Sequence, residues 1–284
     1  AIVLVVTGAV LYSTDDDNRM LMGSVGEITE YNETFEVEGD IFNLETALEI
    51  GTLNVITHSE SFILLEISEG ENYPHTISYE NHVLSIENGQ SRRFPWFFFD
   101  FTSFTQRHLG VTVYVPETLE FNQVKVDNVN GSVTVEGLTL NDLSVTITNG
   151  AVHVRNSEIN NLFNVKTTNG LVHFQDVIAH TTMNASSTNG EIRMDRIAAI
   201  NYRFDTTNGA IRLNHLNQPD EGGQTLIART TNGRVRLDNV YVLDVDLRTT
   251  NGNVDFYNVD RNFRLNRVVA QTTNGDTNID VPRN

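Results

Sequence analysis

The sequence predicts an all-β protein: a β-solenoid of coils about 20 residues long with Asn-Gly corners, preceded by a β-rich N-terminal region. Three observations predict it. Near-copies of "TTNG" recur, with the glycines Gly131, Gly150, Gly170, Gly190, Gly209, Gly233, Gly252 and Gly275 spaced by 19, 20, 20, 19, 24, 19 and 23 residues. Apolar and polar side chains alternate with a period of two on both sides of each Asn-Gly pair. No long window carries the 3.6-residue period of an amphipathic helix.

Residues 1–19 form an apolar arm and an acidic linker. "AIVLVVTGAVLYS" has 13 residues and no charge. As a helix it would rise only about 20 Å, short of the roughly 30 Å core of a bilayer, and no basic stretch precedes it as in an intact signal peptide. Three readings stay open: the tail of a cut membrane anchor, a mature N-terminus exposed by processing, or a β-strand, given the β-branched Ile2, Val3, Val5, Val6, Thr7 and Val10. "TDDDN", Thr14 to Asn18, reads as a charged linker rather than a calcium loop.

Residues 20–118 read as further strands or as first, irregular coils. "YNETFEVEG", "GTLNVITHS", "SFILLEIS", "HVLSIENG" and "GVTVYVP" alternate in strand fashion. "RRFPWFFFDFTSF" holds the only tryptophan, Trp96, beside Phe97, Phe98 and Phe99. Its first reading is a hydrophobic plug over a core; its second is an exposed patch that meets a partner.

Residues 119–284 are the regular repeats. Apolar columns stand two and four residues after each glycine (Val152 and Val154, for example) and five and seven before it (Val145 and Leu143). The alternation predicts two strands per repeat with a corner between them. Stacked coils then merge the columns into one core that a single repeat could not bury. By the same alternation Asn130, Asn149, Asn169, Asn189, Asn208, Asn232, Asn251 and Asn274 face inward, their amides laddering between coils at a buried corner. Glycine follows because a tight corner commonly needs positive φ. The TTNG motif is thus a corner element. Its functional rival is an outward threonine array that orders water or binds ice, which would need flat, paired columns.

Three residues after the glycine an outward stripe reads Thr134, His153, His173, Arg193, Arg212, Arg236, Asp255, Asn278. Two histidines without a third ligand do not make a metal site. Arg193, Arg212 and Arg236 are candidates for meeting a carboxylate surface on a neighbouring copy. Residues 1–118 would supply that surface: they carry 19 acidic and 4 basic side chains, a net charge of −15 out of −18 for the chain. Such a charge repels phosphate backbones, so nucleic acid is not an expected partner. The absence of cysteine excludes thiol chemistry and zinc–thiolate sites. Neither a carboxylate cluster, nor a phosphate loop, nor a nucleophile elbow is visible, so no enzyme activity and no cofactor is expected.

"GVTVYVPETLEFNQVKVDNVNGSVTVEGL", Gly110 to Leu138, and the TTNG coils after it resemble the putative-adhesin β-strand-repeat family of bacterial and archaeal envelope proteins, a family of unknown function. The resemblance covers residues 27–284. It implies a non-catalytic β-solenoid displayed outside the membrane, with no catalytic residues to carry over. The expectation is an extracellular or cell-surface structural protein that assembles with itself into a head-to-tail homopolymer. Its contact residues would be Ile2, Val3, Leu4, Val5, Val6, Val10 and Leu11 of the arm, donated as a strand, with the aromatic run and the arginines above. The alternatives are a membrane-anchored adhesin or envelope-stress protein, and a carbohydrate-binding or carbohydrate-active solenoid. The cell envelope and surface glycans are the further partners these would need.

Overall fold

The protein is described by a computed structural model over residues 28–36, 41–89, 109–217, 223–258 and 263–281. The apolar arm, the "TDDDN" segment and the aromatic run with Trp96, Phe97, Phe98 and Phe99 lie outside the described residues. Within them the chain is β throughout, with no helix. The first strands are β1 (Ile28–Glu36), β2 (Ile41–Ile50), β3 (Thr52–His58), β4 (Phe62–Gly70), β5 (His75–Glu80), β6 (Val83–Asn88) and β7 (Gly110–Pro116). The repeats contribute β8 (Glu120–Asn130), β9 (Val133–Glu136), β10 (Thr139–Asn149), β11 (Val152–Thr167), β12 (Val172–Ser187), β13 (Ile192–Thr206) and β14 (Ile211–Leu216). They end with β15 (Gly223–Arg229), β16 (Val235–Val240), β17 (Val242–Arg248), β18 (Val254–Tyr257), β19 (Arg267–Gln271) and β20 (Thr277–Asp280).

Each coil of the repeats pairs in parallel with the next, in register apart from local shifts such as those at Leu140/Asp142 and Ala179/Thr182. β11 meets β12 in three separate runs: Val152–Arg155 on Val172–Gln175, Ser157–Ile159 on Val177–Ala179, and Phe163–Thr167 on Met183–Ser187. A coil therefore has three strand segments, not the two expected from the alternation around Asn-Gly. The missed corner lies six residues after the glycine. There Gly137 has φ of 79°, and Asn156, Asp176, Arg196, His215 and Asn239 adopt φ between 48° and 55°. Left-handed backbone costs a side-chain-bearing residue about 1–2 kcal/mol and is easiest for Gly, Asn and Asp. The third segment beyond it buries Leu138, Leu140, Ile159, Val177 and Ile197.

The predicted columns form the core. Val133, Val152, Val172, Ile192, Ile211, Val235 and Val254 are all fully buried, as are Phe163, Phe174, Phe204 and Phe256 in the columns beside them. Phe163 and Phe174 stack with ring centroids 4.7 Å apart, so packing runs across coils as well as along them.

The stack reaches back before residue 119. β2 pairs in parallel with β6 on one side and β8 on the other, and β3 likewise lies between β7 and β9. The coil formed by β2 and β3 is thus inserted between two coils that follow it in sequence. Outside β6 and β7 the direction reverses: β5 pairs antiparallel with β6, and β4 with β7 and β1. Phe35 and Tyr79 close this end edge to face at 6.0 Å, and Tyr79 also meets Phe42.

At the corners glycine is required by proximity rather than by φ. Only Gly131 of the eight corner glycines adopts a positive φ, 145°. A Cβ on Gly150, Gly170, Gly190, Gly209, Gly233, Gly252 or Gly275 would stand 1.5–2.2 Å from the carbonyl oxygen of the preceding corner glycine. No side chain fits there without parting the coils.

Two substitutions test this packing by thermal or denaturant unfolding. Phe163→Ala should cost about 3–5 kcal/mol, as for other buried phenylalanines. Gly190→Ala, which adds one carbon, should cost at least the ~3 kcal/mol upper range of overpacking changes, whereas Thr188→Ala at the exposed position two residues before it should stay within about 0.5 kcal/mol.

Candidate functional surfaces

The TTNG corner resolves into four roles. The first hydroxyl is buried: Thr206 Oγ1 donates to the Gly190 carbonyl at 3.1 Å and accepts from the Gly209 amide at 3.2 Å. Thr167, Ser187, Thr230, Thr249 and Thr272 make the same bond back to the preceding corner glycine. The carbonyl that excludes a Cβ is thereby satisfied inside the corner. The second threonine faces solvent. The glycine permits the close approach.

The asparagines are not inward, as the alternation implied: Asn130 is half-buried and the other seven are exposed. The strand ends at the buried hydroxyl, and the bend after it turns the next two side chains out. Their amides nonetheless form an unbroken chain. Asn149 Nδ2 donates to Asn130 Oδ1 at 2.9 Å, and Asn169, Asn189, Asn208, Asn232, Asn251 and Asn274 each donate to the preceding asparagine at 2.6–2.8 Å. Asn130 closes the ladder on the Glu49 carbonyl at 3.2 Å.

The outward stripe lies where the spacing put it, with His153 beside His173, then Arg193, Arg212, Arg236 and Asp255 on successive coils. The rings of His153 and His173 meet edge to face at 5.8 Å. Burial, then Arg155 and the other ring, hold His153 below the usual histidine range; burial, then Arg193 and Arg155, do the same for His173. Both are neutral imidazoles near pH 7. Among the described residues no group of three or more His, Asp or Glu stands close enough to hold a metal ion. Arg212 lies 3.4 Å from Glu191, and Arg236 donates to Asp238 at 2.7 Å. Asp255 is fully buried on this outer face, where Arg234 and the Asn278 amide hold it. Burial alone would raise its carboxyl; those donors outweigh it and set the group below the usual carboxylate range.

The two ends of the stack differ. At the N-terminal end Glu69 Oε2 accepts from the His75 backbone amide at 2.6 Å and from Tyr31 Oη at 3.2 Å. The His75 side chain is 1% exposed, and Asn88 ties it to the corner through the Ile50 carbonyl at 2.6 Å. Burial holds the His75 imidazole below its ordinary value. At the C-terminal end nothing comparable stands among the described residues. β20 pairs only with β18 and β19 only with β17. Ile279 is 45% exposed, whereas its column neighbours Leu237 and Phe256 are at 0%. Val268 and Ala270 are half-buried where their column mates are buried.

A family model described as Toastrack DUF4097 matches residues 47–163 and 161–284. The chain belongs to that family. No curated protein sequence matches it significantly. Among solved structures, a putative adhesin from Bacteroides fragilis superposes with a TM-score of 0.50 at 13% identity, covering 88% of this chain and 97% of that one. A putative lipid binding protein from Parabacteroides distasonis gives 0.47 at 12% identity, again over 88% and 97%. A putative cell adhesion protein from Clostridium sporogenes gives 0.41 at 12% identity, over 64% and 98%. The Bacteroides likeness shows that this Toastrack chain shares the β-solenoid fold with a described adhesin.

Acid should loosen the N-terminal end of this Toastrack protein. A neutral, buried His75 takes up fewer protons folded than unfolded, so its contribution is present above the usual histidine pKa and is lost as pH falls through its lowered value. Amide protection at β5 and β6, corrected for the intrinsic pH dependence of exchange, should therefore fall below about pH 6.5, and His75→Asn should flatten that dependence. In the ladder, Asn169→Ala removes two exposed amide bonds and should cost about 1 kcal/mol, read as local exchange in the neighbouring coils.

Proposed function

We propose that this Toastrack protein is a non-enzymatic structural protein of the cell surface or extracellular space, a subunit that assembles head-to-tail with copies of itself. The observation that carries the reading is the difference between the two ends. The N-terminal end is closed by antiparallel strands and aromatic rings. Among the described residues no strand pairs beyond β19 and β20 at the C-terminal end, where Ile279 is exposed and Val268 and Ala270 are half-buried. Bare sheet edges template pairing with another chain, and natural solenoids cover them. The apolar, β-branched residues 1–13 supply a strand of suitable chemistry, added by main-chain hydrogen bonds with side chains over the open column. The adhesin description of the Bacteroides structure supports placement at the cell surface. A membrane-anchored adhesin is the second reading, favoured by the uncharged composition of the same 13 residues.

Electron microscopy and light scattering of the purified chain test the reading. The full chain should give filaments. Removing residues 1–13, or placing a charge at the open end with Ile279→Glu, should abolish them; burying an unpaired charge costs about 3–5 kcal/mol, a weakening of more than roughly 100-fold. Filaments that persist without residues 1–13 would overturn the donor arm, and co-sedimentation with lipid vesicles that needs those residues would favour the anchor.

A further inference from the structure

Three N-x-Ser/Thr sequences occur in the chain: Asn32-Glu33-Thr34, Asn130-Gly131-Ser132 and Asn184-Ala185-Ser186. Such a triplet is the acceptor signal for N-linked glycosylation in exported proteins, and the fold decides which of the three can carry a glycan. Asn130 is committed to the corner: Nδ2 donates to the Glu49 carbonyl and Oδ1 accepts from Asn149, so coils lie against it on both sides. Asn184 is half-buried in the middle of the stack, paired with Asn164 on one coil and Arg203 on the next, and its Nδ2 points at the carbonyls of Phe163 and Thr182, each at 3.4 Å. A sugar on either nitrogen would stand in the space its neighbours fill.

Asn32 is different in every respect. It is exposed on β1, and its amide has no hydrogen-bond partner among the described residues. Among the described residues β1 has one strand neighbour, β4, where Asn32 faces Glu66, and no described strand pairs with its other side. Alternation puts Thr34 on the same outer face as Asn32, while Tyr31 and Phe35 point to the core side. An open polar groove runs beside Asn32, lined by Glu30, Asn54, Glu66, Ser68 and Thr112. Carboxylates, amides and hydroxyls in that arrangement suit the hydroxyls of a first sugar residue.

We propose that Asn32 is an N-glycosylation site of this protein and that Asn130 and Asn184 are bare. The donor is a lipid-linked oligosaccharide phosphate and the catalyst is a transferase of the export pathway. Asn32 Nδ2 attacks the anomeric carbon of the first sugar. The carbon–nitrogen bond forms as the carbon–oxygen bond to phosphate breaks; the lipid phosphate leaves with that electron pair, and Nδ2 gives up one proton to a base of the transferase. The glycan then stands on the solvent face of β1 without touching the core.

The inference rests on the cell-surface reading, and the experiment separates the two. Native protein from the source cells is digested and its peptides are mapped by mass spectrometry, with protease shaving of intact cells run in parallel. The expected result is a sugar mass on the peptide holding Asn32 and unmodified peptides for Asn130 and Asn184. Thr34→Ala and Asn32→Gln should each remove that mass with an unchanged melting temperature. A shaved, surface-exposed protein with bare Asn32, or one equally modified at Asn130 or Asn184, overturns the site assignment alone. A protein that shaving cannot reach, with bare Asn32, overturns both the assignment and the surface reading.

Discussion

The structure depends on the contact between each corner glycine and the carbonyl of the corner before it. At each coil the Cα hydrogens of glycine lie where any β-carbon would collide with the preceding corner's oxygen. That proximity locks the corners directly above one another, and the rest follows from the lock. Columns of apolar side chains superpose, strand ladders recover their register after each local shift, and the buried hydroxyl finds the same carbonyl in coil after coil. A small register error at one corner would move whole columns, so specificity concentrates at a few backbone atoms rather than in the core, where Val, Phe, Met and Leu substitute for one another freely along a column.

Much of this was legible in the residues. The repeat of Asn-Gly gave away the coil, and the period-two columns on both sides of it identified the core, because a side chain that must be buried in every copy leaves the same trace each time. The third strand segment was not legible. Its corner tolerates Gly137, Asn156, Asp176, Arg196, His215 and Asn239, and residues so unlike one another leave no repeated letter. Ion pairs support the less suited members, as where Arg196 grips Asp176 at 2.6 and 2.9 Å. The asparagines misled the alternation because strand periodicity stops where the chain bends, one residue earlier than the motif suggests. The insertion of β2 and β3 between later coils was also hidden, since long-range order leaves no local pattern. The polar character of the outer face could be read, but the pairing of Arg212 and Arg236 with Glu191 and Asp238 required the fold.

Charge and exposure are unevenly distributed along the stack. Most of the excess negative charge belongs to residues 1–118, so two N-terminal ends repel each other at moderate ionic strength. The C-terminal coils are nearly balanced, and their last turn carries Thr277 where the seven preceding Asn-Gly repeats have valine or isoleucine. One polar residue in that column leaves the last coil with less apolar surface to bury than its neighbours.

The asparagine ladder gives the rod an electrical direction. Every one of its amides donates toward the N-terminal end, so eight side-chain dipoles point the same way. Aligned hydrogen bonds polarise one another. The chain of amides ends on a backbone carbonyl at one extremity and leaves the Asn274 oxygen as an acceptor at the other. A second ladder brought end to end could continue the first only by presenting donors to that oxygen, so the surface amides can tell head from tail.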